Sequence, residues 1–184
     1  MVGILTEKYK TICIAGCHGK TTTTSMTAHV LGNIKGANYL IGDGQGYADK
    51  KNEFFVLESC EYRRHFLAYT PYYAVITNID LDHVDYYKDI DDIIDAYTEY
   101  ANKATKMVIM CGDDKYINKF KPSKETICYG LNENNNIRAI NIEYKSNGIS
   151  FDVLTNNKLY GHFDLPIYGI HQLYDALAVI TICY

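Results

Sequence analysis

Between Lys10 and Ser25 the chain reads KTICIAGCHGKTTTTS, and these residue types in this order are suited to holding a phosphate. Gly16 and Gly19 let backbone N–H groups converge on an anion, and the first turn of a helix offers unpaired donors at the positive end of its dipole. Lys20 would reach terminal phosphates, and the Thr21 hydroxyl would ligate magnesium. The candidate phosphate contacts are therefore Gly16, Cys17, His18, Gly19, Lys20, Thr21 and Thr22. The spacing is shorter than the common G-x-x-x-x-G-K-[ST]: Ile14 stands where the first glycine would be, leaving G-x-x-G-K-T.

Two further groups could serve a bound polyphosphate. The run EFFVLE, Glu53 to Glu58, is apolar and ends in a carboxylate, so Glu58 would face the phosphate loop from the end of a central strand. The run YAVITNI, Tyr73 to Ile79, is followed by DLDHVD, which places Asp80, Asp82, His83 and Asp85 on one loop. Magnesium takes carboxylate and hydroxyl oxygens, and imidazole can add a ligand. His83 is thus expected to pair with Glu58 as a second metal site. Just after Glu58, SCEYRRHF brings Glu61, Arg63, Arg64 and His65 to the start of an expected helix; the adjacent arginines suit either local acids or an anionic substrate.

These groups need a scaffold that brings strand ends together. Ile12 to Ala15 reads as a short buried strand, Gly16 to Gly19 as a tight turn, and Thr22 to Gly32 as a helix with Met26, Val30 and Leu31 inward. Asn38 to Ile41 suggests a strand running into GDGQG, a mobile turn. Ile90 to Ala104 is amphipathic, with Ile90, Ile93, Ile94, Tyr97 and Ala101 on one stripe. Lys106 to Cys111 and Glu125 to Tyr129 read as strands, with a short helix over Asp113 to Phe120 between them. This alternation predicts an α/β fold: a P-loop-type, mostly parallel sheet with helices on both faces. From Arg138 the period changes. Arg138 to Tyr144, Ile149 to Leu154 and Leu159 to Phe163 predict a small antiparallel meander at one edge. Gly169 to Tyr184 is a helix with Leu173, Leu177 and Ile180 inward, and it stops without a capping signal. The 184 residues are therefore expected to form one domain, the middle piece of a longer protein.

Composition narrows the function. With 47% apolar residues the chain can build a core, and a net charge of −4 without a basic run argues against nucleic acid as a partner. Attraction for a polyphosphate must then be local, from Lys20, backbone amides and a cation. Six cysteines without a C-x-x-C pair suit a reducing cytoplasm, and neither an export signal nor a membrane span is expected.

The run IAGCHGKTTTT resembles the nucleotide loop of the Mur ligases. ESCEYRRHFLAYTPYYAVITNIDLDHVDYY is similar to the corresponding part of the family's UDP-N-acetylmuramate:L-alanine branch, and the G-x-H at Gly169 to His171 to its adenine-contacting motif. The resemblance implies the central ATP-binding domain of a three-domain ligase, with the UDP-binding and amino-acid-binding domains outside this chain. ATP and Mg2+ would be its cofactors and UDP-N-acetylmuramate its acid substrate, with L-alanine held by the absent third domain. It further implies catalytic roles for Lys20, Glu58 and His83. Thr21 and Glu58 would hold one magnesium and His83 the second; Asn78 would lie beside the metal loop, and His171 and Asp175 would border the adenine.

The chain departs from the family pattern at three positions. Members often carry Asn where Gln172 and Asp175 stand, and an ionised Asp accepts but does not donate. Many carry Asp where Cys60 stands; Cys60 is assigned no chemical role, since a buried neutral thiol explains it equally well. The rival readings are another ligase of the superfamily, acting on a later muramyl peptide or a folate, and a non-catalytic nucleotide-binding module. The chain holds no guanine-reading Asn-Lys-x-Asp motif to favour a switch.

Overall fold

A computed structural model of the protein describes residues 2–184. Helix α1 (Val2–Lys8) precedes β1 (Lys10–Ala15), the phosphate loop and α2 (Lys20–Ile34). Then come β2 (Ala37–Leu40), β3 (Gly46–Tyr47), β4 (Phe54–Glu58), a 3₁₀ segment (Tyr62–Ala68), β5 (Tyr73–Ile76) and α3 (Ile90–Asn102). The chain continues through β6 (Met107–Cys111), β7 (Thr126–Gly130), β8 (Ile137–Lys145), β9 (Gly148–Thr155) and β10 (Lys158–Leu165) to α4 (Gly169–Cys183).

The strands form one sheet in the order β10-β9-β8-β7-β6-β5-β1-β4-β2-β3. β1 lies between β4 and β5, parallel to both, in a register that pairs Ile14 with Glu58 and Ala15 with Ile76. Three strand tips therefore end level with one another, and the loops leaving them meet. The parallel strands carry unbroken apolar runs because helices cover both faces. α2 and α4 cover one face through Ala28, Leu31, Leu173 and Leu177, while α3 and the 3₁₀ segment cover the other through Ile93, Tyr97 and Phe66. The antiparallel meander β8-β9-β10 extends the same sheet at one edge and joins it through a short parallel pairing of β7 with β8.

Several elements differ from the sequence reading. α2 buries Thr23, Thr24 and Thr27 beside Ala28 and Leu31, leaving Met26 and Val30 half-buried. Wedged between sheet and α4, these threonines differ in partner: the Thr24 hydroxyl donates to the Lys20 carbonyl at 2.7 Å and the Thr23 hydroxyl to Asp175 Oδ1 at 3.1 Å, while the Thr27 hydroxyl is buried without a partner among the described residues. Asp113 to Phe120 is a chain of turns, because the Asp114 carboxylate accepts from the Tyr116 N–H at 2.8 Å and the Ile79 N–H at 2.8 Å in place of a helical ladder. GDGQG forms the β2–β3 hairpin connection. α1 was not foreseen. Among the described residues no helix is long and apolar enough to cross a membrane, and the six cysteines are free.

Candidate functional site

Gly16 opens the phosphate loop at φ 142°, and Gly19 closes it in the left-handed region at φ 78°. A side chain at Gly16 would run into Thr77 Oγ1, and one at Gly19 into the Asp175 carboxylate, so both positions need a bare backbone. The tip of β5 holds the loop in shape. Thr77 Oγ1 donates to the His18 carbonyl at 2.6 Å, while Asn78 accepts from the His18 N–H at 2.9 Å and donates to its carbonyl at 2.8 Å. Cys17 adds a third tie: its thiol donates to the Asp80 carbonyl and accepts from the Asp80 N–H, both at 3.1 Å. Burial pushes that thiol up to about 11, so Cys17 packs as a neutral group. No side chain caps α2, which leaves its first-turn N–H groups, at the positive end of the helix dipole, turned toward the loop.

Lys20 is folded back over this loop. Its Nζ donates to the Gly16 carbonyl at 2.5 Å, to the Cys17 carbonyl at 3.3 Å and to Glu61 Oε1 at 3.1 Å. Thr21 lies beside Glu58, its hydroxyl donating to Oε1 at 3.1 Å, and Glu58 Oε2 accepts from the Gly42 N–H at 2.7 Å. A side chain at Gly42 would collide with that carboxylate, so the GDGQG turn is the cradle of Glu58. Thr22 is exposed at the start of α2.

The expected partnership of His83 with Glu58 is not the one that forms. His83 Nε2 lies 3.4 Å from Glu61 Oε1, with side-chain exposures of 32% and 1%. The β4 strand ends at Glu58, and the residues after it carry Glu61 under the loop, where the Tyr87 hydroxyl donates to its carbonyl at 2.6 Å. Glu61, which the sequence placed only at the start of an expected helix, is the residue the structure adds to this candidate site. Among the described residues its Oε2 is buried with no partner, and Glu61, Asp82 and His83 present ligand atoms within 4.8 Å of one another. A buried anionic oxygen without a donor is costly unless a cation faces it. Carboxylates with one imidazole suit a divalent metal, so this donor set fits magnesium, as does the Thr21 and Glu58 pair.

Beside Gly19 opens a cleft of about 580 Å³ whose lining includes His18, Asn78, His171, Tyr174 and Asp175. Asp175 is buried and accepts from the Thr23 hydroxyl at 3.1 Å; burial raises its pKa. His171 is exposed, as is Gln172, whose Oε1 accepts from the Tyr168 N–H at 2.7 Å at the head of α4. Asp113, also in the lining, accepts from the Tyr174 hydroxyl at 2.9 Å and from the Leu131 N–H at 2.6 Å. Burial opposes its charge, but these bonds prevail and hold it below the usual carboxylate range.

The arginines separate. Arg64 bonds Asp92 at 2.6 Å and lies 3.6 Å from Glu99, so it serves local acids, whereas Arg63 is exposed. Cys60 is exposed rather than buried, because the turn after β4 directs Glu61 inward instead.

A protein-family model described as the Mur ligase middle domain matches residues 14–183. Similar solved structures include UDP-N-acetylmuramate:L-alanyl-gamma-D-glutamyl-meso-diaminopimelate ligase from Neisseria meningitides, at 25% identity and a TM-score of 0.82, covering 98% of this chain and 64% of that one. UDP-N-acetylmuramate-alanine ligase MurC from Thermotoga maritima matches at 24% identity and a TM-score of 0.80, over 97% of this chain and 42% of that one. MurF ligase from Thermotoga maritima, in complex with ADP, matches at 19% identity and a TM-score of 0.78, over 95% and 45%. This chain thus spans 64% of the length of the first of these ligases and less than half of the other two. Its strand-tip phosphate loop and the matched segment place it together: the chain belongs to the Mur ligase middle-domain family.

Proposed function

We propose that this chain is the ATP-binding central domain of a larger ligase that joins L-alanine to UDP-N-acetylmuramate, a step in peptidoglycan precursor synthesis. The observation that carries the reading is the meeting of Lys20, Glu61 and His83 beneath an uncapped helix start, with Thr21 and Glu58 alongside. The ADP bound to the similar MurF ligase supports a nucleotide here. The run from Glu58 through Arg64 supports the L-alanine branch over ligases acting on later muramyl peptides.

The reaction has two steps. A carboxylate oxygen of the acid attacks the γ-phosphorus of ATP, the bond to the β–γ bridging oxygen breaks, and ADP leaves. The amine of L-alanine then attacks the acyl carbon, phosphate departs, and the nitrogen loses a proton as the amide forms. Two anions must meet in the first step, so positioning and charge neutralisation supply most of the catalysis. Loop N–H groups and Lys20 hold the terminal phosphates, Lys20 exchanging carbonyl partners for phosphate oxygens. Thr21 and Glu58 would hold one magnesium, Glu61 and His83 another; bound there, magnesium supplies neutralising charge. Thr77 and Asn78 keep the loop open by bonding its backbone from behind. The cleft beside Gly19 takes the nucleoside, with His171 and Asp175 at its border.

The test is phosphate release by the full-length ligase. Release requiring both UDP-N-acetylmuramate and L-alanine is expected. Turnover with a folate and glutamate instead, or with a later muramyl peptide, overturns the assignment.

A further inference from the structure

Arg63 and Arg64 both lie in the left-handed region, at φ 50° and 57°. Non-glycine residues bear a steric cost there, and two in succession persist only where the surroundings enforce them. Arg64 supplies the enforcement: Asp92 and Glu99 hold its guanidinium, which also lies 5.8 Å from the Tyr87 ring. Arg63 has no acid within salt-bridge distance among the described residues. Its guanidinium carbon lies 5.4 Å from the Tyr62 ring, and that ring lies 4.7 Å from the ring of His83. Tyr62 is fixed in turn by its hydroxyl, which donates to Asp85 Oδ2 at 2.7 Å. An exposed, unpaired cation is thus presented on an aromatic shelf one ring away from the Glu61 and His83 cluster. Arg63 takes no part in lining the cleft beside Gly19, so the nucleoside is not its ligand.

We propose that Arg63 is a binding residue for the acid substrate, its guanidinium taking an anionic oxygen of that substrate while Tyr62 sets its position beside His83. This rests on the ligase reading above and assigns the acid a contact within this domain. A planar guanidinium suits paired carboxylate or phosphate oxygens, which a lysine would hold less well.

The test uses the full-length ligase and its R63A, R63K and R63G variants, with steady-state kinetics in each substrate. R63A is expected to raise KM for UDP-N-acetylmuramate by about 10- to 100-fold, the worth of a charge-assisted hydrogen bond, with KM for ATP changed less than about twofold. R63K should recover part of the loss. R63G should lose acid affinity as R63A does while its melting temperature rises by about 1–3 °C, because the backbone cost is relieved. Unchanged KM for the acid in R63A, equal shifts for acid and ATP, or a lower melting temperature in R63G each overturn the inference while leaving the ligase reading intact. Absence of wild-type turnover with the acid overturns both.

Discussion

Replacing Glu61 by Gln removes one negative charge and almost no volume. Without ligand the glutamine oxygen still accepts from Lys20, which also keeps the Gly16 and Cys17 carbonyls. The melting temperature should therefore move by less than about 4 °C, roughly 1 kcal/mol for a chain of this size. Toward a divalent cation the change is larger. Two unit charges about 4 Å apart interact by about 4 kcal/mol at an effective dielectric near 20. The Glu61 side chain is 1% exposed but His83 is 32% exposed, so water reaches one side of the cluster. Discounted for that screening, the expected loss is about 1.4–2.8 kcal/mol, or about 10- to 100-fold in affinity for magnesium–ATP. Calorimetry at fixed magnesium, paired with melting curves with and without ligand, reads both quantities. A Glu61→Gln chain that binds magnesium–ATP as tightly as the unsubstituted one refutes a cation at Glu61 and His83. A chain that loses more than 10 °C without ligand would make Glu61 a packing residue, against the same reasoning.

Gly16→Ala should cost roughly 2–4 kcal/mol in urea denaturation, since φ 142° and the approach of Thr77 Oγ1 leave no room for a methyl group; stability within about 0.5 kcal/mol would show that the loop can relax. Asp175→Asn should raise the melting temperature at pH 7. Burial raises the Asp175 pKa, so the fold bears the cost of its charged form above that pKa and is spared it below the unfolded value near 3.8. The advantage of asparagine, which can still accept from Thr23, should shrink as pH falls and vanish near pH 3.8; a pH-independent difference would assign the effect to packing.

The phosphate loop was legible because its determinants are local: an apolar strand, two glycines with positive φ, and a lysine opening a helix. The parallel sheet was legible from the alternation of strand and helix patterns and the meander from the change of period near Arg138, and both formed close to the expected bounds. Glu61 was not, because its place depends on contacts with Lys20, His83 and Tyr87, residues distant in sequence. The pairing of Glu58 with Gly42 was hidden for a similar reason: it needs β2 next to β4, a fact of sheet order. The many tyrosines had no reading from sequence. In the fold, two of them bind backbone around the site: Tyr100 donates to the Cys13 carbonyl and Tyr87 to that of Glu61, both at 2.6 Å.

The central claim is that one loop grips a triphosphate while carboxylates from the neighbouring strand tips hold its cations. Anomalous diffraction from crystals of the chain grown with manganese and a non-hydrolysable ATP analogue tests it directly. The expected map has phosphates along residues 16–21, with one manganese peak at Thr21 and Glu58 and another at Glu61 and His83. Phosphates bound elsewhere, or manganese touching none of those four side chains, would contradict it.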